Sequence, residues 1–135
     1  MNFNFALSNT EEQVSEVARA GESLADALES LGNVKKRVYM AERDLKDNLA
    51  LAIYTEMQKV DSPLKVGKNA EERGAAKDAF EIELRKGQLK LYVDALDSAI
   101  AAKVDAETDV AMWQARFDAI RISIQGLVAI LGCKV

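Results

Sequence analysis

The sequence predicts an all-α protein, an elongated helical hairpin or coiled-coil bundle of about four helices that forms an oligomer. Apolar residues recur every three or four positions along most of the 135 residues, which is the period of an amphipathic helix. Aromatic residues make up only 6% of the chain, while alanine, leucine, valine, glutamate and lysine are abundant. One proline and seven glycines leave few turns for a sheet. We expect one helical domain over residues 1–135.

The first predicted helix is acidic and covers residues 10–31. Thr10 followed by Gln13 is a capping-box pattern, so we expect the helix to begin there. Its apolar positions then alternate in spacings of three and four, as in the seam of a coiled coil. These positions are Val14, Val17, Gly21, Leu24, Leu28 and Leu31. Gly32 and Asn33 are residues that commonly end helices, so the pattern predicts a break there.

A second, basic helix is predicted over residues 34–59, because Val34 falls one place earlier than the preceding heptad requires. Its apolar side continues through Val38, Leu45 and Leu49. Lys35, Lys36, Arg37, Arg43 and Lys46 lie on its other face, together with acidic residues. Pro63, the only proline, is expected to end the helix by about residue 60.

The segment 60–69 is predicted to be a loop, and a charged helix follows it from Ala70. Asn69 and Glu72 have the spacing of a second capping box. Gly87 leaves two alternatives open. It ends this helix, or it lies within a continuous helix at a cost of about 1 kcal/mol relative to alanine.

A long C-terminal helix, up to residue 131, completes the charged segment 70–131. Its apolar residues again alternate in spacings of three and four. A helix from residue 88 to residue 131 would be roughly 65 Å long and must cover its apolar stripe with another long helix, from this chain or from a copy. We therefore expect an oligomer interface made of Leu24, Leu28, Leu31, Val110, Trp113, Phe117, Ile120, Ile124 and Leu127.

Several classes of function have no support in the sequence. The chain contains no histidine, no Cys-x-x-Cys pair and no phosphate-binding glycine motif, so we predict a protein that is not an enzyme and needs no cofactor or metal. The single Cys133 excludes a disulfide framework within one chain, which is typical of a reducing cytosol. Because no signal peptide or membrane-spanning run is recognisable, we expect a soluble cytoplasmic protein.

The basic residues near the predicted loop are the main candidates for a binding site. The net charge is −4, but residues 1–33 hold six acidic side chains against Arg19 alone, so the middle of the chain is basic by comparison. Two interpretations are open, an ordinary solvated surface or a surface that contacts phosphates. The nucleic-acid-binding hypothesis names Lys35, Lys36, Arg37, Arg43, Lys65, Lys68 and Arg73.

The order of these parts resembles the UvsY-like recombination mediators of tailed phages. Three stretches carry the resemblance: "VKKRVYMAERDLKDNLALAIYTEM" (34–57), "DSPLKVGKNAEER" (61–73) and "WQARFDAIRISIQGL" (113–127). Together they cover about residues 34–130, as a pattern of parts and not as a diagnostic motif. The acidic segment 10–31 has no counterpart in that family, and the net charge of −4 lowers the expected affinity for DNA.

The resemblance implies a non-enzymatic accessory protein in the cytoplasm of a phage-infected bacterium. Such mediators form ring-shaped homo-oligomers and bind single-stranded DNA. They also contact a recombinase and a single-strand-binding protein, and they help the recombinase to replace the latter on DNA. The alternative is a structural coiled-coil adaptor, scaffold or inhibitor that acts only through protein–protein contacts. Binding to labelled oligo-dT at low and moderate salt separates the two.

Overall fold

The computed structural model describes residues 3–132, with side chains described for residues 11–130 and for Gly132. Within this part the chain forms four helices and no strand: α1 (Phe3–Met57), α2 (Pro63–Val66), α3 (Ala70–Lys86) and α4 (Lys90–Gly132). The all-α prediction is therefore confirmed. The described side chains do not include those of Thr10, Leu131 and Cys133.

The predicted break at Gly32 and Asn33 is wrong, because α1 is continuous from Phe3 to Met57. The predicted start at Thr10 is also wrong, since α1 begins seven residues earlier. A glycine inside a helix costs only about 1 kcal/mol. The partly buried Leu31 and Val34 and the buried Val38 follow one another on one side of the helix, so their packing offsets that cost.

The chain divides into two compact units. Unit 1 contains residues 1–34 and 103–135, and unit 2 contains residues 35–102. In unit 1 the first part of α1 packs against the second part of α4. A cavity of about 300 Å³ brings Arg19 of α1 beside Arg116 of α4, and a second of about 290 Å³ brings Asp26 beside Asp109. Later residues of α1 therefore face earlier residues of α4, which means that the two helices are antiparallel.

Unit 2 has a core where three helices meet. Leu45 of α1, Leu84 of α3 and Leu89 of the connection between α3 and α4 form a buried cluster. Partly buried apolar side chains surround it, namely Leu49, Ala52, Phe80, Val93 and Leu96. The apolar side predicted for residues 34–57 is confirmed by this packing, although Met57 at its end is 41% exposed.

Two short connections in unit 2 have well-defined caps. Asn69 begins α3, as predicted, because its side chain accepts a hydrogen bond of 2.8 Å from the Glu72 amide. Gly87 ends α3, which decides between the two alternatives for this residue. Its amide donates to the carbonyls of Glu83 and Leu84, at 3.0 and 3.3 Å.

The predicted loop 60–69 contains the short helix α2, which the sequence reasoning missed. Pro63 occupies the first turn of α2, where a missing amide hydrogen costs nothing. Ser62, which is 1% exposed, precedes it and accepts a hydrogen bond of 3.3 Å from the Leu64 amide. Leu64 follows this cap and is only 8% exposed, because it lies between α1 and α3.

Candidate nucleic-acid interface

Basic side chains and a tyrosine alternate along one exposed side of α1 in unit 2. Lys36, Tyr39, Arg43 and Lys46 are spaced by three, four and three residues, so they follow one another along one side of the helix. We call these four residues the basic–tyrosine stripe. All four are exposed, and Tyr39 is 64% exposed. The stripe is turned away from the buried Val38 and Leu45, which hold this part of α1 against the rest of unit 2.

The charge along the stripe is positive and largely free for a ligand. Residues 35–47 hold five basic and three acidic side chains, and one of the acids, the exposed Asp47, lies four residues after Arg43 on the same side of α1. The only ion pair of these residues in the described structure joins Arg43 to Asp44 at 3.8 Å, and both side chains are about half exposed. An exposed pair of this kind contributes only about 0–1 kcal/mol, so a phosphate can displace it. Tyr39 offers an open aromatic face between the bases, as base stacking requires.

Lys35 and Arg37 are exposed on either side of Lys36. Successive residues of an α-helix are rotated by about 100°, so these two side chains point in directions about 200° apart. Lys35 lies on the side of Tyr39 and Lys46 and extends the stripe at its edge. Arg37 is exposed about 100° around the helix from Lys36, off the stripe and away from Lys35. The structure therefore brings five of the six basic and aromatic residues of segment 35–46 onto one surface.

The basic residues near α2 form a separate group. Lys65 and Lys68 are exposed, but the Arg73 guanidinium is half-buried and donates a hydrogen bond of 3.0 Å to the Gly67 carbonyl. Arg73 also lines a cavity of about 270 Å³ beside Met57, at the end of α1. Met57 lies 21 residues beyond Lys36, about 31 Å along the helix.

The seven predicted binding residues therefore do not form one continuous surface. Lys35, Lys36 and Arg43 lie together. Lys65 and Lys68 lie at the other end of unit 2's part of α1, and Arg73 holds the α2–α3 connection in place. Sequence reasoning placed all five bases of the predicted helix 34–59 on one face and missed the finer signal of their spacing, by which positions 36, 39, 43 and 46 share one side of the helix.

The residues predicted to form an oligomer interface lie between α1 and α4 of the same chain. Leu24, Leu31, Val110, Trp113, Phe117, Ile120, Ile124 and Leu127 are half-buried, whereas Leu28 is 50% exposed. A carbon atom replacing hydrogen at Gly21 would lie 3.5 Å from the Phe117 ring, so this ring of α4 packs beside α1 at Gly21. The two apolar seams largely cover each other, and contact of these residues with another copy stays a prediction.

Trp113 lies in the groove between α1 and α4 and does not offer an open ring. It lines both cavities of this groove, and the Arg116 guanidinium lies over its ring, 5.4 Å from the centroid. A cation–π contact of this kind stabilises the ring where it is. Trp113 is thus a packing residue of unit 1, and Tyr39 is the better candidate for contact with a base.

Other kinds of site are not supported in the described part of the chain. Among the described side chains of residues 11–130, no group of three or more from histidine, cysteine, aspartate and glutamate could hold a metal ion. The helices in this range also lack an apolar stretch sufficient to cross a membrane. Comparisons with models of known protein families, with curated proteins and with solved structures gave no match. The resemblance to UvsY-like mediators stays a prediction.

Proposed function

We propose that this chain is a non-enzymatic accessory protein that self-associates and binds single-stranded DNA along the basic–tyrosine stripe. The observation that carries the proposal is the stripe itself, four exposed residues on one helical side with a tyrosine between bases. A groove or surface of positive charge that follows the phosphates, combined with aromatic faces for the bases, is the usual means of binding single strands without sequence preference.

The stripe has the dimensions to bind a short stretch of a single strand. Lys36 and Lys46 are ten residues apart, which is about 15 Å along α1. Lys36, Arg43 and Lys46 provide three phosphate contacts, and Tyr39 provides one stacking contact. Each phosphate contact adds about 0.7 to the slope of log affinity against log salt concentration. The predicted binding is therefore modest for one chain and stronger in an oligomer that repeats the stripe.

The recombination role rests on the resemblance of segments 34–57, 61–73 and 113–127 to UvsY-like mediators. In that role the protein would contact a recombinase and a single-strand-binding protein and would assist loading of the recombinase onto DNA. A protein that holds single-stranded DNA by non-specific contacts is suited to that task. Faster recombinase assembly on DNA already covered by the single-strand-binding protein is the expected result when this chain is added.

The proposal is tested by fluorescence anisotropy with a labelled oligo-dT at salt concentrations from about 50 to 200 mM. Binding that weakens steeply with salt is expected, together with weaker binding to a blunt duplex of the same length. Absence of oligo-dT binding by the 135-residue chain at about 50 mM salt would contradict DNA binding, whatever the oligomeric state.

A second candidate is an adaptor or scaffold that acts only through protein–protein contacts. The observation that favours it is the number of exposed apolar side chains far from the stripe, among them Val104, Met112 and Ile122 of α4, which are 53–63% exposed. An oligomer that does not bind oligo-dT would favour this candidate.

A further inference from the structure

The cavity of about 300 Å³ in unit 1 is lined by arginine side chains from both of its helices. Arg19 of α1 and Arg116 of α4 line it together with Ser23 and Trp113. Ala20, which is 3% exposed, is the most buried of the lining residues and marks the bottom of the cavity. We call this site the two-arginine cavity. Small-molecule sites have volumes of about 300–1,000 Å³, so a ligand that fits here is small.

The two arginines meet a like charge across the cavity. Neither takes part in an ion pair of the described structure. Arg116 has only methionine, tryptophan, alanine and isoleucine at three and four residues' distance, so α4 offers it no carboxylate. Arg19 donates a long hydrogen bond of 3.4 Å to the Ser15 hydroxyl, although Glu16 and Glu22 lie one turn away on α1. Both guanidinium groups are exposed and can be reached by an anion from solution.

The neighbouring cavity of the same groove has the opposite charge. It is lined by Asp26 and Asp109, and Trp113 lines both cavities. Asp109 lies seven residues from Arg116, about 10 Å along α4. Bases and acids are therefore segregated along the groove. Opposite charges facing each other across the groove would hold α1 and α4 together better than like charges do. The arrangement indicates that the two arginines serve a ligand rather than the packing of the helices.

We propose that the two-arginine cavity binds a small phosphate monoester, with its phosphate between the guanidinium groups of Arg19 and Arg116. A guanidinium presents its donors in a planar fork that matches two phosphate oxygens. A phosphate monoester carries about −1.5 to −2 charges at pH 7, which matches two guanidinium groups better than the single charge of a carboxylate. The Ser23 hydroxyl is a further donor at the cavity.

The organic part of the ester has apolar surface to lie against. Ile120 and Trp113 of α4 line the cavity beside the arginines. One face of the Trp113 ring is occupied by the Arg116 guanidinium, 5.4 Å from the ring centroid. A short alkyl chain is therefore better suited to the cavity than a large planar group. The site lies in unit 1 and does not depend on DNA binding by the basic–tyrosine stripe, which lies in unit 2.

Glu16 is the carboxylate among the described residues that line this cavity, and it opposes an anion. Its charge reduces the net charge of the lining side chains from two positive to one. Glu16→Gln should therefore tighten binding of a phosphate ester. The expected gain is up to about fivefold, the value of one exposed charge pair. Arginines that only solvate the groove would not produce this gain.

The first test uses the fluorescence of Trp113, the only tryptophan of the chain, which reports on this cavity directly. The 135-residue chain is titrated with butyl phosphate at constant ionic strength, and butanol serves as the ligand control without a phosphate. A saturable change with butyl phosphate and none with butanol is expected. No saturable change at millimolar butyl phosphate, or an equal change with butanol, would overturn the phosphate site.

The second test removes one arginine at a time. Arg19→Gln and Arg116→Gln should each weaken binding of butyl phosphate about tenfold, since hydrogen bonds to a charged group are lost. Arg121→Gln is the matched control, because Arg121 is paired with Asp118 on α4 and does not line the cavity. It should bind like the wild type. Circular dichroism should show the same helicity for all variants, because the substituted side chains are exposed.

The outcomes separate this inference from the proposed function. Wild-type affinity for butyl phosphate in either cavity variant, or an equal loss in Arg121→Gln, would overturn the assignment to Arg19 and Arg116. Weaker binding by Glu16→Gln would also contradict it. Oligo-dT binding is measured separately on the wild type. A chain that binds butyl phosphate through both arginines but does not bind oligo-dT supports this inference and contradicts the proposed function alone.

Discussion

Replacement of Tyr39 by leucine separates base stacking from charge at the basic–tyrosine stripe. Tyr39 is 64% exposed, and it is neither part of the Leu45 cluster nor the donor of a described side-chain hydrogen bond. The substitution should change the free energy of unfolding by no more than about 0.5 kcal/mol. Leucine keeps helix propensity and a comparable apolar side chain, but it removes the ring on which a base can stack.

The expected loss of affinity follows from the value of one stacking contact, about 1–3 kcal/mol per base, which is roughly 5- to 150-fold. The salt dependence should stay the same, because no phosphate contact is removed. Fluorescence anisotropy with labelled oligo-dT measures both quantities. Tyr39→Phe, which keeps the ring, should bind nearly as well as the wild type, and Tyr92→Leu serves as a control on α4. Equal affinity of Tyr39→Leu and the wild type would refute stacking at this position.

Three further predictions concern the stability of unit 2 and are measured by thermal or urea unfolding. Leu45→Ala should lower the free energy of unfolding by about 2–5 kcal/mol, because the Leu45 side chain is only 5% exposed. Leu91→Ala, at an 82% exposed position, should lower it far less. Equal losses in the two variants would contradict the described core. Asn69→Ala should lower the free energy of unfolding by about 0.5–2 kcal/mol, because the cap of α3 is lost. An unchanged midpoint of unfolding would refute the capping role of Asn69. Gly67→Ala should destabilise the α2–α3 connection, since the added carbon would lie 2.8 Å from Cγ and 3.1 Å from the amide nitrogen of Arg73; a neutral effect would show that this contact relaxes freely.

The sequence predicts the helical fold well because local signals agree with packing over most of the chain. The spacing of Val38, Leu45 and Leu49 identifies the side of α1 that faces the core, and the Asn69–Glu72 pair identifies the start of α3. Gly32 and Asn33 mislead because their preference for helix ends is weak and tertiary packing overrides it. The short helix α2 escapes notice because four residues contain no full period.

The candidate site was only partly predictable, for a geometric reason. Lys36 and Arg43 stand out by charge, but the contribution of Tyr39 depends on its exposure, which the sequence does not give. Arg73 looks equivalent to Lys65 and Lys68 in the sequence, yet its guanidinium is bound to the Gly67 carbonyl in the folded chain.

The salt dependence of single-strand binding by a variant without the stripe's charges tests the central claim most directly. Lys36, Arg43 and Lys46 are replaced together by alanine, and the slope of log affinity against log salt is compared with that of the wild type. Loss of three phosphate contacts should lower the magnitude of the slope by about 2. A control that removes Arg85, Lys86 and Lys90, all exposed on α3 and α4, makes the same change in net charge and should keep the wild-type slope. An equal fall in both variants, or no change in either, would contradict binding at the basic–tyrosine stripe.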